Sequence, residues 1–240
     1  MDLAGGVNMP NIGTTADSAP IRIITELTSK LHPATVASAE WRQLPHLRAD
    51  APTLQGSFPA ATALRIERRH VAVLVMDVAG YSRLIEANVI DTALRLRCVL
   101  GDLVKPTVLA HDGRVVDITG DGALMAFSDA DDAVRCGAAV QRGLQGLERE
   151  TPADRRIRLR MGLSAGEVLS IDGDLYGPAI NIAARLSALA EAGSIYACGK
   201  VLERMSAATA SCCEPLGRRR LRNISKPVRV FRVDHADLAI

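Results

Sequence analysis

The sequence is poor in aromatic residues and carries almost no net charge. Phe, Trp and Tyr together make up 3% of the 240 residues, so a stacking surface for single-stranded nucleic acid is not expected. The sequence has 29 Lys and Arg residues and 27 Asp and Glu residues. It therefore lacks the excess of basic residues expected of a protein whose main partner is nucleic acid. No apolar run approaches the roughly 20 residues of a membrane span, and the N-terminus lacks the basic and apolar regions of a secretory signal.

The signatures of several common enzyme classes are also missing. The five cysteines form no CxxC pair, so the thiols are predicted to be reduced in a cytoplasmic protein. No His/Cys spacing is typical of a zinc hydrolase. The absence of a GxxxxGK[ST] segment excludes a P-loop enzyme.

The first 65 residues differ from the rest in their proline content. Proline at this density prevents long regular elements, so residues 1–65 are predicted to be an N-terminal extension that is largely irregular or disordered. The apolar spacing within residues 21–31 allows one short helix there. The prolines of this stretch are Pro10, Pro20, Pro33, Pro45, Pro52 and Pro59.

Residues 66–236 have the pattern of one packed domain. Short apolar runs predict strands at 71–76, 114–118, 123–127, 156–163, 167–171, 194–197 and 228–233. Amphipathic stretches predict helices at 79–109, with a break near 89–91, and at 129–148, 178–190 and 200–207. Hairpins mixed with helical crossovers predict an α+β sandwich of the ferredoxin-like kind rather than a doubly wound parallel sheet.

Two carboxylates occupy matching positions beside small residues. Asp77 ends an apolar strand and precedes Val78-Ala79-Gly80, and Asp121 lies between two glycines at a hairpin tip. If the two segments are neighbours, these carboxylates can hold a hard cation, because magnesium takes one or two carboxylates together with substrate phosphates. The competing interpretation of Asp121 is that the Asp-Gly pair only favours the tight turn of the hairpin.

A second pair of polar residues lies on an apolar helix. Asn181 and Arg185 are four residues apart, so they project from the same face. On a buried helix an amide and a guanidinium are costly unless they are paired, and the planar guanidinium suits phosphate oxygens. The competing interpretation is that both residues bond neighbouring backbone.

Three segments resemble the catalytic domain of the class III adenylyl and guanylyl cyclase family, in its bacterial form. Residues 76–82 (MDVAGYS) resemble the first metal motif, 119–122 (TGDG) the second, and 181–185 (NIAAR) the signature helix. The resemblance extends from about His70 to Val233. It implies the family's ferredoxin-like sandwich and an enzyme that converts ATP to 3′,5′-cyclic AMP and pyrophosphate for second-messenger signalling.

The resemblance also implies a role for each motif. Asp77 and Asp121, with the backbone carbonyl of Val78, would bind two magnesium or manganese ions per active site. Asn181 would orient the ribose, and Arg185 would stabilise the charge on the transferred phosphoryl group. In the family the carboxylates come from one chain and the Asn/Arg helix from the other, which implies a homodimer with shared active sites.

The substrate-binding residues are implied in the same way. Asp174 falls on the family's base-reading aspartate, and the triphosphate-binding lysine near the C-terminus is replaced by Arg220 or, as second choice, Arg222. The family's purine-reading lysine corresponds to Asp117, which is a departure. Guanylyl members carry an acidic residue there, so ATP is favoured because of Asp174 but selectivity over GTP is expected to be poor. In the competing interpretation, the Asp117 side chain points away from the base and pairs with an arginine such as Arg114.

Two other functions compete with this one. The first is a catalytically weak cyclase-homology domain that binds nucleotide or a partner, for which Asp117 is the motivation. The presence of both metal carboxylates, Asn181 and Arg185 speaks against it. The second is a diguanylate cyclase, which shares the sheet architecture, but its Gly-Gly-acidic-Glu-Phe signature is absent.

Overall fold

The computed structural model describes residues 65–236 and 238. The expected N-terminal extension and its short helix at 21–31 lie outside the described residues, apart from Arg65. Eight strands form one sheet in the order β2-β3-β1-β4-β6-β8-β7, with β5 paired to β4. All neighbouring strands are antiparallel except β4 and β6. The strands are β1 (Ile66–Val78), β2 (Gly113–Thr119), β3 (Gly122–Phe127), β4 (Leu159–Ile171), β5 (Asp174–Tyr176), β6 (Ile195–Cys198), β7 (Cys213–Arg219) and β8 (Val228–Val233).

Seven α-helices and one π-helical segment connect the described strands. The predicted helix at 79–109 is divided at Asn88, which caps the second helix by accepting a hydrogen bond from the Asp91 N–H. Among the described residues, no helix has the length and apolar character that crossing a membrane requires. The helices are α1 (Tyr81–Ala87), α2 (Val89–Cys98), the π-helical segment (Val99–Val104), α3 (Lys105–Ala110), α4 (Ala130–Leu147), α5 (Pro178–Leu189), α6 (Gly199–Leu202) and α7 (Ala207–Ser211).

The sheet buries apolar side chains on both faces. Alternate residues of β1 point to opposite faces, so Leu74 and Met76 join one buried cluster, with α4 packed over them. Val71 and Val73 join a second cluster on the other face, beneath Ala179 and Ala183 of α5. The described fold is the predicted α+β sandwich, and α5 shares its face of the sheet with the odd-numbered residues of β1.

One predicted hairpin is wrong. The small residues Ser164-Ala165-Gly166 were expected to turn the chain between two strands, but β4 runs straight through them. Ser164 pairs with Val73 in the centre of the sheet and is fully buried. Small residues are needed here for packing, because α5 crosses directly over this part of β4.

The remaining differences are at the C-terminal side. The helix expected at 200–207 is two short helices, α6 and α7, and Ser206 caps the second by accepting a hydrogen bond from the Thr209 N–H. β5 and β7 were missed. β5 has only three residues, and β7 is largely exposed and contains Pro215 and Gly217, which are depleted in strands. A register shift between these two residues accommodates them in the sheet.

Candidate active site

Asp77 and Asp121 lie at the same end of the sheet. The pairing of β1 with β3 ends at Met76 and Ala123, so Asp77 and Gly122 follow directly at the edge. Gly122 is so close to β1 that a Cβ atom there would stand 3.2 Å from the Met76 carbonyl oxygen. Both carboxylates are half-buried. The predicted proximity of the two carboxylates is therefore present in the fold.

The pKa of Asp121 is affected by burial and by Asp77. Burial raises the pKa of Asp121, and the negative charge of Asp77 raises it further. The backbone N–H groups of Asp121 and Val78 and the guanidinium of Arg160 act in the opposite direction, but the net shift is upward. Two carboxylates that repel each other in a partly desolvated position attract a cation.

The donor set fits a hard divalent cation that arrives with phosphate groups. Among the described residues, no cluster of three or more His, Cys, Asp or Glu is arranged to hold a metal ion. Two carboxylates are the number that magnesium usually takes from a protein when substrate phosphates supply further oxygens. Val78, whose carbonyl is expected to join them, is the last residue of β1, and its side chain is buried.

Arg160 is the neighbour of Asp77 that sequence reasoning missed. The two residues are direct partners in the pairing of β1 with β4, so their side chains share a face of the sheet. The Arg160 Nε and Nη2 atoms donate to the two carboxylate oxygens of Asp77, each at 2.9 Å. The alternation of arginines with apolar residues from Arg156 to Arg160 was the available signal, but the identity of the partner of Arg160 depended on the strand order.

Asn181 and Arg185 lie on the outer side of α5. Ala183 and Ser187 face the sheet, and residues two positions apart are separated by about 200° around a helix. Asn181 is accordingly exposed and Arg185 half-buried, and neither side chain makes a hydrogen bond or ion pair with another described residue. The expectation that this helix buries both polar groups is wrong, because only its sheet-facing side is buried.

Gly162 is the reason that α5 lies so close to the sheet. A Cβ atom at this position would stand 2.1 Å from the Ala183 carbonyl oxygen and 2.3 Å from the Ser187 backbone nitrogen. The Ser187 hydroxyl also donates to the Arg160 carbonyl oxygen at 3.0 Å. Backbone therefore packs on backbone here, which fixes the position of the helix that carries Asn181 and Arg185.

A β-bulge determines the orientation of Asp117. The register shifts between Val115 and Asp117, which pairs with Leu124, and Leu124 in turn pairs with Val75 of β1. Directly opposed residues share a face, so Asp117 lies on the same face as Asp77. The Val115 side chain packs in the cluster on the opposite face of the sheet, which contains Leu74 and Met76. Without the bulge, strict alternation from Val115 would have placed Asp117 on that face as well.

The expected alternative partner of Asp117 is also wrong. Its Oδ2 atom accepts a hydrogen bond from the Thr119 hydroxyl at 3.0 Å. Arg114 donates instead to the Gly173 carbonyl oxygen at 2.9 Å, next to Asp174. Asp117 itself is exposed, so its carboxylate is accessible on the face that carries the other candidate residues.

The other substrate-binding candidates are exposed. Asp174 begins β5. Burial raises the pKa of the nearby Tyr176 phenol, and the Asp174 carboxylate raises it further. Arg220 and Arg222 follow β7, and neither side chain makes a hydrogen bond or ion pair with another described residue. The structure does not bring these arginines into contact with the carboxylates.

Comparisons with known proteins agree with the resemblance seen in the three motifs. No protein-family model matches the chain. Putative adenylate cyclase 3 of Rhizobium meliloti is 37% identical over 166 residues, which is 69% of this chain and 28% of that protein. The chain thus spans less than a third of the length of this relative.

Solved structures match over the described domain. The adenylate/guanylate cyclase/hydrolase from Silicibacter pomeroyi is 37% identical, covers 70% of this chain and 98% of its own, and superposes with a TM-score of 0.66. The adenylyl cyclase CyaB from P. aeruginosa is 22% identical, covers 70% of this chain and 95% of its own, and has a TM-score of 0.62, which supports the fold alone. With an identity of 37% across nearly the whole of one solved catalytic domain, the chain belongs to the class III adenylate/guanylate cyclase family.

Proposed function

We propose that this protein is a metal-dependent nucleotidyl cyclase that converts ATP into 3′,5′-cyclic AMP and pyrophosphate. In this reaction the ribose 3′-oxygen loses its proton and bonds to the α-phosphorus, while the bond from that phosphorus to the pyrophosphate oxygen breaks. Asp77 and Asp121, with the Val78 carbonyl, would hold magnesium or manganese, two ions per site. When bound, such ions acidify the attacking hydroxyl and neutralise the phosphate charge.

The observation that carries the proposal is the outward direction of Asn181 and Arg185 within one chain. The carboxylates meet at the end of β1, whereas Asn181 and Arg185 point outward from α5 without a partner among the described residues. In a dimer with a two-fold axis, Asn181 and Arg185 of each copy complete the site formed by the carboxylates of the other copy. The dimer therefore contains two equivalent sites. The proposed enzyme is therefore a homodimer with shared active sites.

Exposed apolar side chains support this assembly. Ile90 and Leu94, one turn apart on α2, are 72% and 59% exposed. Large apolar side chains grouped on a surface are typical of an interaction site. Burial against a second copy removes them from water.

Each chain residue has a physical task in the proposed reaction. The Asn181 amide hydrogen-bonds the ribose and orients the 3′-oxygen toward the phosphorus. The Arg185 guanidinium stabilises the negative charge that develops on the transferred phosphoryl oxygens. Arg220, with Arg222 as second choice, binds the triphosphate through charge-assisted hydrogen bonds.

Base recognition leaves a second candidate substrate, GTP. Asp174 can accept a hydrogen bond from the adenine 6-amino group, which supports ATP. Asp117 is accessible on the same face as Asp77 and can accept from the N1 and 2-amino donors of guanine. The proposed enzyme therefore uses ATP with poor selectivity over GTP.

The test combines product analysis with subunit mixing. The purified protein is incubated with ATP or GTP and manganese, and the cyclic nucleotides are measured. Asp77→Ala and Asp121→Ala should each abolish product formation, because the two ions of the proposed site would be left with one carboxylate between them. Asp77→Ala mixed with Arg185→Ala should regain activity, because one of the two sites in each heterodimer is intact.

Three results contradict the proposal. Near-parental turnover of either carboxylate variant at saturating manganese would show that the metal assignment is wrong. A mixture that forms heterodimers but recovers no activity would exclude shared sites. Failure to form cyclic AMP or cyclic GMP under any condition would favour the catalytically weak binding domain instead.

A further inference from the structure

The ion pair with Arg160 engages both carboxylate oxygens of Asp77, the proposed metal ligand. The guanidinium uses two nitrogen atoms to bind both carboxylate oxygens of Asp77, each at 2.9 Å. The side chains of both residues are largely shielded from water, with 19% exposure for Asp77 and 30% for Arg160. A planar, bidentate pair of this kind is the strong form of a charge-assisted hydrogen bond.

We propose that Arg160 is an internal counter-cation that competes with the metal ion for Asp77. The inference rests on the proposed function, because it takes Asp77 as a metal ligand. Without nucleotide, a divalent cation must separate the guanidinium from the carboxylate before it gains both oxygens. Arg160 therefore weakens the binding of the bare metal ion.

The competition follows from the geometry of the three charged groups. Asp77 and Asp121 both lie beyond the end of the β1–β3 pairing and both are half-buried, so the pair of carboxylates needs a positive charge to be stable. Arg160 is held in place to supply it, because β4 pairs its backbone directly with Asp77 and Ser187 of α5 donates to its carbonyl oxygen. The same positive charge that stabilises the metal-free protein opposes a second cation.

A nucleotide-free manganese titration tests the proposal. Manganese chloride is added to the parental protein and to variants, and the unbound ion is measured by its electron paramagnetic resonance signal. Arg160→Gln removes the competing charge while keeping a side chain of similar polarity, and should bind manganese about tenfold more tightly, the scale of one lost charge-assisted hydrogen-bond pair at a partly exposed position. Arg160→Lys keeps the positive charge but loses the two-nitrogen contact of the guanidinium. Its manganese affinity should therefore lie between those of Arg160→Gln and the parental protein.

Arg158→Gln is the matched control. Arg158 directly precedes β4, is exposed, and makes no side-chain hydrogen bond or ion pair with another described residue. Its substitution changes the net charge by the same amount as Arg160→Gln, two residues along the chain, without removing a hydrogen bond to Asp77. Manganese affinity equal to that of the parental protein is expected for this variant. An equal gain in both glutamine variants would overturn the proposal in favour of a general effect of net charge.

Thermal unfolding provides a second readout. With EDTA, Arg160→Gln should unfold at a lower temperature than the parental protein, because two carboxylates are left without a positive charge. Added manganese should raise its midpoint by more than it raises the parental midpoint, since binding to the folded state is tighter. If Arg160→Gln does not fold, the comparison of Arg160→Lys with the parental protein decides the question in the same titration.

The outcomes separate this inference from the proposed function. Unchanged or weaker manganese binding by Arg160→Gln and Arg160→Lys overturns the competition, while leaving the metal site itself in place. Parental binding that is no tighter than that of Asp77→Ala, even with ATP present, overturns the metal assignment of the proposed function and this inference with it. A gain confined to the Arg160 variants supports the competition.

Discussion

Gly162→Ala is expected to separate α5 from the sheet. The added Cβ atom would stand 2.1 Å from the Ala183 carbonyl oxygen, 2.3 Å from the Ser187 nitrogen and 2.9 Å from the Leu186 carbonyl carbon. Each of these atoms belongs to the helix backbone, so no side-chain rotation can relieve the overlap. Ordinary van der Waals contact begins at 3.4 Å, so the helix and strand must move apart.

The expected size of the effect follows from this displacement. Overpacking of a buried contact costs about 1–3 kcal/mol of unfolding free energy, and backbone on both sides places this substitution at the upper end. A misplacement of about 1 Å in a catalytic group can lower turnover by about 100-fold. Both losses are expected together, because α5 is part of the buried packing and also carries Asn181 and Arg185.

Gly166→Ala on the same strand is the matched control. Its Cβ atom would meet only the Ala179 Cβ, at 3.6 Å, which is ordinary contact with the same helix. Both substitutions reduce the flexibility of the unfolded chain to a similar extent. Urea denaturation followed by circular dichroism, together with cyclase turnover in manganese, measures both effects. If Gly162→Ala matches Gly166→Ala in unfolding midpoint and turnover, close backbone packing is not what positions the helix.

Three further predictions concern single side chains. Asn181→Ala and Arg185→Ala should each lower kcat by roughly 10²–10³ with little change in KM, the scale of one lost transition-state donor, and steady-state kinetics showing a pure KM defect would exclude that role. Asp117→Lys should raise the ratio of ATP to GTP turnover in a competition assay, because lysine donates to adenine N1, and an unchanged ratio would contradict this account of the base pocket. Iodoacetamide at pH 8 should modify the exposed Cys98 before Cys136, because burial raises the pKa of the Cys136 thiol to about 12 and only a thiolate reacts. Early modification of Cys136 in the folded protein, detected by mass spectrometry, would show that its packing is looser than described.

The local chemistry of the site could be predicted from the sequence. Asp77 ends a run of six apolar residues, and Asp121 lies at an Asp-Gly hairpin tip, so both carboxylates were expected at strand ends. The structure places them at the same edge. Asn181 and Arg185 were correctly placed on one face of a helix, because their spacing depends only on the helical repeat.

Only the tertiary structure determined what these residues face. The partner of Asp77 is Arg160, 83 positions away, and their pairing exists because β4 lies beside β1, which no local pattern reveals. The orientation of Asp117 depends on one extra residue in β2, and a single-residue shift reverses the face of every side chain that follows. The outward direction of Asn181 and Arg185 was decided in the same way, because the helical repeat specifies which residues share a face, whereas the close packing of α5 on Gly162 specifies which face is buried.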